Sequence, residues 1–361
     1  MPKFIFAGDT VIRTKKEKLV SSELEKIIKD HDVACLNLEA PIESDGKPIA
    51  KIGPNISQPG FAADLITGAG FNMLCLANNH IFDFGSNGLE MTLRAFPSQK
   101  MVGAGKDFSA AYKPEIMQID GVKFGFLAFS ENGFGAIDRE DKAGFAWVNH
   151  AEADNIIKKT KASCDVLFVQ VHAGVENIDL PLPEWRQRYR RIIDLGADIV
   201  VGHHPHMLQG REEYGSGLIF YSLGNFIFEI NAHGSSWNKG CLLSIEYQKG
   251  KLAKTSVILT DAKSGMVEKE ISSEDVFENL NRRLGAGYSA DIDAAVAGLW
   301  RERLEYFFQR SLNGFSDFKG MIRSVIFYVL GKEIDKDLLW HNLNIESHLW
   351  AARRAIGLLK K

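Results

Sequence analysis

The sequence has no paired cysteine spacing, no long apolar run and no block of like charge, and each absence argues against a class of function. Its four cysteines, Cys35, Cys75, Cys164 and Cys241, lie singly in or beside apolar, strand-like stretches. They read as reduced core residues rather than as a disulfide frame or a thiolate metal site. No stretch approaches the roughly eighteen uncharged apolar residues of a membrane span, and the run Val325 to Leu330 is far too short. Residues Met1 to Asp9 enter a short strand almost at once. That leaves no room for the apolar region and cleavage site of a secretory leader, so the expected compartment is the cytoplasm. A formal net charge of -3 without a basic tract argues against a general nucleic-acid binder, whose electrostatic footprint would be basic.

What is present is an ordinary globular composition, 45% hydrophobic and 25% charged over 361 residues, enough for one large domain with an appendage or for two domains. Apolar strand-like runs alternate with amphipathic helical ones. Phe4 to Ala7 ends in Gly8-Asp9, Val33 to Leu38 ends in Asn37-Leu38-Glu39, and Asn72 to Ala77 ends in Asn78-Asn79-His80. Helices are predicted at Ser21 to Ile28, Gly60 to Ala69, Ser86 to Phe96, Ala151 to Thr160 and Pro183 to Leu195. Asp120-Gly121 between two apolar runs predicts a hairpin and therefore a mixed sheet. The glycine-punctuated stretch Glu131 to Trp147 reads as a long loop near the site. Val166 to Val171 ends in His172-Ala173-Gly174-Val175-Glu176, Ile199 to Val201 in Gly202-His203-His204-Pro205-His206, and Leu218 to Leu223 in Gly224-Asn225-Phe226. A closing hairpin is expected around Gln248-Lys249-Gly250. From about Ser272 the spacing turns helical. A boundary is placed so that 1–265 forms the main domain and 266–361 a helical C-terminal extension. Its basic last turns, Arg353, Arg354, Lys360 and Lys361, suit peripheral membrane contact less well than docking of the apolar face on the main domain.

The chemistry-bearing residues gather at strand ends, where open α/β sheets place their ligands. Asp9, Glu39, Asn79, His172, His204 and His206 are the candidate ligands, with His80, His203 and Glu176 close by. Carboxylate, amide and imidazole without thiolate suit borderline divalent ions such as Mn, Fe, Co, Ni or Zn. A lone histidine is more often a satisfied core residue. So many polar side chains at successive ends of apolar strands would each cost about 1–3 kcal/mol if left without partners, which favours metal binding. Two ions roughly 3.5–4 Å apart can lower the pKa of a bridging water and clamp attacking and leaving oxygens. The cluster Arg186, Arg188, Arg190 and Arg191 reads as a solvated helix face before it reads as a site for an anionic polymer.

Gly8-Asp9, Asn37-Leu38-Glu39, Asn78-Asn79-His80 with Asp83 and Gly85, Gly103-Ala104-Gly105, His172 to Glu176, Gly202 to His206 and Tyr221 to Phe226, as an ordered set over about residues 3–260, resemble the successive motifs of the CapA/PgsA family of poly-gamma-glutamate capsule biosynthesis proteins. That family is similar to the calcineurin-like metallophosphoesterases. The resemblance implies an α/β/β/α sandwich with mixed sheets and one or two divalent ions, Mn, Fe or Zn. It implies that Asp9 and His206 serve one ion, Glu39 bridges, and Asn79, His172 and His204 complete the other. His80 would face the substrate, oriented by Asp83, with Asn37, Glu176, His203 and Asn225 in support. The phosphoesterase pattern has a histidine two residues after the first aspartate, where this chain has Val11. One ion is therefore a ligand short, with Glu176 or Asn37 available to compensate. The membrane anchor common in the capsule proteins is not seen in the sequence, which argues against an extracytoplasmic role. The expected activity is hydrolysis of a phosphoester or amide-type bond in cell-envelope or poly-gamma-glutamate-type polymer metabolism, on an anionic polymer or a small phosphoester. The alternative is a non-catalytic metal-binding accessory subunit of a polymer synthase or exporter.

Overall fold

In the computed structural model, which describes residues 1–230, 235–270, 276–311 and 335–360, two mixed sheets lie face to face. The first runs in the order β16 (Glu268–Lys269), β15 (Lys251–Asp261), β14 (Lys239–Gln248), β1 (Lys3–Val11), β2 (Val33–Leu38), β3 (Met73–Cys75) and β4 (Lys100–Val102), with β13 (Asn225–Phe228) beside the far end of β1. The second runs β11 (Arg211–Tyr214), β12 (Gly217–Phe220), β10 (Ile199–His203), β9 (Val166–His172), β7 (Val122–Ser130) and β6 (Glu115–Ile119). A small pair, β5 (Ala104–Gly105) and β8 (Gly144–Phe145), lies apart from both.

Side-chain alternation along each strand creates the layers. On β1, Phe4 and Phe6 join Phe124, Phe126 and Phe168 between the sheets. Ile5 and Ala7 instead pack outward with Leu24 and Ile28 of helix Ser22–Lys29 and with Ala62 and Ile66 of helix Phe61–Ala69. On β9, Val166 and Phe168 share the inter-sheet layer, whereas Leu167, Val169 and Val171 pack with Trp185 and Tyr189 of helix Pro183–Asp194. The order is helix, sheet, sheet, helix, the α/β/β/α sandwich expected. The C-terminal helices enlarge the outer layer of the second sheet: Tyr288, Ile292 and Val296 from Tyr288–Leu299, and Ala351 and Ala355 from Glu346–Leu359, belong to the same buried cluster. Arg354 of the last helix pairs with Asp293 at 2.8 Å. The apolar run Ile322 to Leu330 and Lys361 lie outside the described residues. Among the described residues, no helix is long and apolar enough to cross a membrane.

Local chemistry explains most element ends. Ser21 caps the first helix by accepting the Leu24 N–H, the oxygen-to-amide contact that makes serine a good N-cap. Asp120 (φ 50°) and Gly121 (φ 82°) both adopt the left-handed backbone of a tight hairpin turn. Other expectations need correction. The strand expected at Asn72 to Ala77 is only Met73–Cys75. Strands β11 and β13 were not foreseen: Arg211–Tyr214 is polar, and Asn225–Phe228 becomes a strand by pairing with β1. The stretch Glu131 to Trp147 carries β8 rather than being loop throughout. The arginine cluster is only in part a solvated face: Arg191 is exposed, but all four arginines have acidic partners. Arg186 and Arg190 both grip Glu212, while Arg188 and Arg191 hold Asp154.

Candidate metal centre

The site forms because β1, β2, β3, β9 and β10 run parallel within their sheets and release their C-terminal residues at one end of the sandwich, where such folds bind ligands. Strand β1 changes partner there. Its first half pairs with β14, and from Asp9 onward it pairs with β13, so that Asn225 stands opposite Asp9. Gly8 permits this exchange: a Cβ at Gly8 would stand 2.0 Å from the Gly224 carbonyl oxygen. Beyond β10 the chain bends sharply, with His204 at φ 95° and His206 at φ 57°. Such values are uncommon outside glycine and turn both imidazoles toward the carboxylates.

Four donors converge. His172 Nε2 lies 3.0 Å from Asn79 Oδ1, 3.0 Å from His204 Nδ1 and 3.5 Å from Glu39 Oε1. Ligands at about 2.0–2.1 Å from a tetrahedral zinc-class ion stand roughly 3.3 Å from one another, so the spacing suits such an ion. A second group shares Glu39: His206 Nε2 is 3.6 Å from Glu39 Oε1, and His206 Nδ1 is 3.3 Å from Asp9 Oδ2. Glu39 is fully buried, yet neither of its carboxylate oxygens has a hydrogen-bond partner. An orphaned buried carboxylate among imidazoles is what a cation site looks like from the protein's side. The residues present therefore fit a divalent ion.

The remaining contacts orient these donors. Asn37 donates to Asp9 Oδ1 at 2.7 Å and lies 3.1 Å from His172 Nδ1. The His204 backbone N–H donates to Asp9 Oδ2 at 3.0 Å. His206 Nδ1 meets Asn225 Oδ1 at 2.8 Å, and its ring lies against Trp237 with centroids 4.2 Å apart. His203 is buried, with Nε2 3.3 Å from Gln170 Oε1 and Nδ1 3.6 Å from Asp9. Glu176 pairs instead with Arg303 of the C-terminal helices at 3.1 Å. Val11, at the position of the histidine expected from the phosphoesterase pattern, belongs to an apolar cluster with Ala40, Ile56, Phe228 and Trp237.

Charge follows this arrangement. Burial pushes the Glu39 carboxyl well above the usual range, and the Asp9 charge adds to it. For Asp9, burial acts upward, but the bond to His206, whose own pKa Asp9 raises, holds it far below the usual range. Burial lowers His172 strongly, reinforced by His204, and brings His204 down to about 4. Neutral His172 and His204, and a carboxyl that resists ionisation next to an ionised one, are well prepared to exchange a proton for a metal cation.

Beside this cluster, His80 Nδ1 lies 2.7 Å from Asp83 Oδ2, and Lys51 bonds to Asp83 and stands 3.2 Å from His80 Nδ1. Asp83 also accepts from the Ile56 N–H at 2.7 Å, tying in the segment that carries Lys51. Burial lowers the His80 pKa, with the Lys51 charge adding to the effect and Asp83 opposing it. Sequence reasoning missed Lys51, which lies in irregular chain with no motif around it. It also missed Glu131, whose Oε1 is 3.7 Å from His204 Nε2; its position after the apolar run of β7, at the start of the glycine-punctuated stretch, was the available signal. Burial and the neighbouring Glu346 charge push Glu131 up to about 8, against donors from Ser347 and Gly174.

Residues 4–230 match the model of the bacterial capsule synthesis protein family PGA_cap. The chain is 35% identical over 212 residues to a capsule biosynthesis protein CapA of Bacillus anthracis, covering 56% of this chain and 52% of that one. It is 32% identical over 238 residues to a PGA biosynthesis protein CapA of Bacillus subtilis strain 168, covering 62% of each. A probable polyglutamine synthesis accessory protein of Mycobacterium tuberculosis is 28% identical over 224 residues, covering 56% of this chain and 57% of that one. The chain thus spans less than two thirds of the length of these relatives.

Proposed function

The chain belongs to the bacterial capsule synthesis protein family, and from that footing we propose that it is a metal-dependent hydrolase of a phosphoester or amide-type bond in a cell-envelope or poly-gamma-glutamate-type polymer. The observation that carries this reading is the buried Glu39 carboxylate without a donor, surrounded by His172, Asn79 and His204 at ligand spacing. A divalent ion of the Mn, Fe or Zn class bound there supplies Lewis-acid polarisation and charge for a leaving oxygen. Glu39, Asn79, His172 and His204 hold the firmer position, and Asp9 with His206 offers a second around the same Glu39. His80, engaged at Nδ1 by Asp83, keeps Nε2 for the departing group, and it gives a proton or steadies charge there when the ring is an imidazolium. Lys51 fixes Asp83 in place.

Metal content by elemental analysis, combined with a screen of phosphoester and gamma-glutamyl substrates, tests this. At least one ion per chain is expected, with activity lost on chelation. His80→Ala should retain the metal and slow turnover by about 10² to 10⁴-fold, the usual contribution of a positioned proton donor. A chain that purifies without metal and gains nothing from added Mn or Zn overturns the reading. A second reading, a metal-binding accessory subunit of a polymer synthase or exporter, draws on Val11 in an apolar cluster at the position of a missing ligand. On that reading His80→Ala leaves function intact.

A further inference from the structure

Resting on the metal site just proposed, we infer that Glu131 is a positioning residue for His204, and that the helix Glu346–Leu359, outside the family-matched stretch, is part of the metal site through Ser347. His204 turns Nδ1 toward His172 Nε2 at 3.0 Å and Nε2 toward Glu131 Oε1 at 3.7 Å. The ring nitrogen facing His172 is therefore Nδ1, and Nε2 faces the Glu131 carboxyl group. A carboxyl group packed behind a ligating imidazole limits the orientations the ring can take.

Glu131 is itself held from the far side. Its Oε1 accepts from Ser347 Oγ at 3.0 Å and Gly174 N at 3.3 Å, and its Oε2 accepts from Ser347 N at 2.9 Å. Ser347 is fully buried, and its hydroxyl also accepts from Trp185 Nε1 at 2.8 Å. The neighbouring pair repeats the link in the opposite sense: Glu346 Oε2 accepts from Asn132 N at 2.6 Å, and Oε1 from Trp147 Nε1 at 2.8 Å. The start of the last helix and the end of β7 are thus joined by two carboxylates, one on each side. A shift of that helix moves Glu131, and with it the face His204 presents.

The experiment compares wild type, Glu131→Gln, Ser347→Ala and Trp185→Phe in the full chain. Each is titrated with Co(II) in its visible absorption bands and with Zn(II) by competition with a chelator, alongside metal-free melting temperature. Glu131→Gln should weaken metal binding about 10 to 100-fold, the usual effect of losing a group that orients a ligand, and should alter the Co(II) spectrum. Ser347→Ala should weaken binding in the same direction by a smaller factor. Trp185→Phe touches the same hydroxyl but not Glu131, and should leave the spectrum unchanged even if melting falls. If wild type binds Co(II) and Zn(II) and Glu131→Gln binds them equally with the same spectrum, this inference fails while the metal site stands. If Ser347→Ala alone matches wild type, the helix has no part in it. If wild type binds neither metal, the functional reading fails and takes this inference with it. Should Glu131→Gln not fold, Ser347→Ala with an unchanged melting temperature and a changed Co(II) spectrum supports the inference, and an unchanged spectrum overturns it.

Discussion

The two ligand groups that share Glu39 differ in what surrounds them. Around His172, Asn79 and His204 the donors face one another across 3.0–3.5 Å. Around Asp9 and His206 the orienting contacts are more numerous. Asp9 accepts from Asn37 and from the His204 N–H; His206 is tied to Asn225 and set against Trp237 and Phe228. The apolar cluster containing Val11 fills the place where another ligand would come from. His206 Nδ1 meets Asn225, which leaves Nε2 turned to Glu39, so on the proposed reading it is the valine at a ligand position that makes this group the weaker one.

The most damaging way to break the comparison is Glu39→Gln, which removes the shared member. Metal binding should fall by at least 100-fold while the metal-free melting temperature changes little, because the amide is as buried and unpartnered as the carboxyl it replaces, a cost of about 1–3 kcal/mol in both. Isothermal titration and calorimetry on the same preparation would check both. Next, His172→Ala should abolish the firm ion, whereas His206→Ala should spare it and lower only the metal content beyond one ion per chain; elemental analysis separates the two. Equal loss in both would mean that the groups act as one. A gain can sharpen the contrast: Val11→His adds an imidazole beside Asp9 and should raise occupancy of the weaker position. Because Val11 is fully buried, the exchange should cost about 1–3 kcal/mol by overpacking, read as a lower melting temperature without metal.

The smallest effect is on pH. Glu131 has its pKa raised from the ordinary 4.5 to about 8, and Glu39 is raised as well. A carboxyl that keeps its proton longer in the folded chain stabilises fully below 4.5, and that stability is lost as pH rises toward 8. Asp9 is lowered and has the opposite sign: its contribution is present above the ordinary 3.8 and is lost only in stronger acid. The metal-free chain should therefore melt lower at pH 8 than at pH 5, and Glu131→Gln should flatten that slope.

Both halves of the site were legible. Asp9, Glu39, Asn79, His172, His204 and His206 each lie at or just past the end of an apolar strand, and parallel strands bring those ends to one end of the sandwich. Period-two patterning revealed the sandwich, since Phe4 and Phe6 alternate with Ile5 and Ala7. Illegible was whatever depends on a distant partner. Lys51 sits in irregular chain and is placed by Asp83. Strand β13 exists because β1 changes neighbour. Ser347 meets Glu131 across a sequence separation of 216 residues. The arginines of helix Pro183–Asp194 looked solvated because Glu212 and Asp154 approach them from other elements.

His204 and His206 occupy left-handed backbone at φ 95° and 57°, and this bears on how mutagenesis of the site is interpreted. Alanine at either position removes an imidazole and also leaves a Cβ in a conformation that strains non-glycine residues by about 1–3 kcal/mol. Glycine removes the imidazole and releases the strain. Asparagine tolerates that backbone better than most residues and leaves a short amide where the ring stood. Loss of coordination at these positions is therefore measured by the difference among three variants, not by an alanine scan.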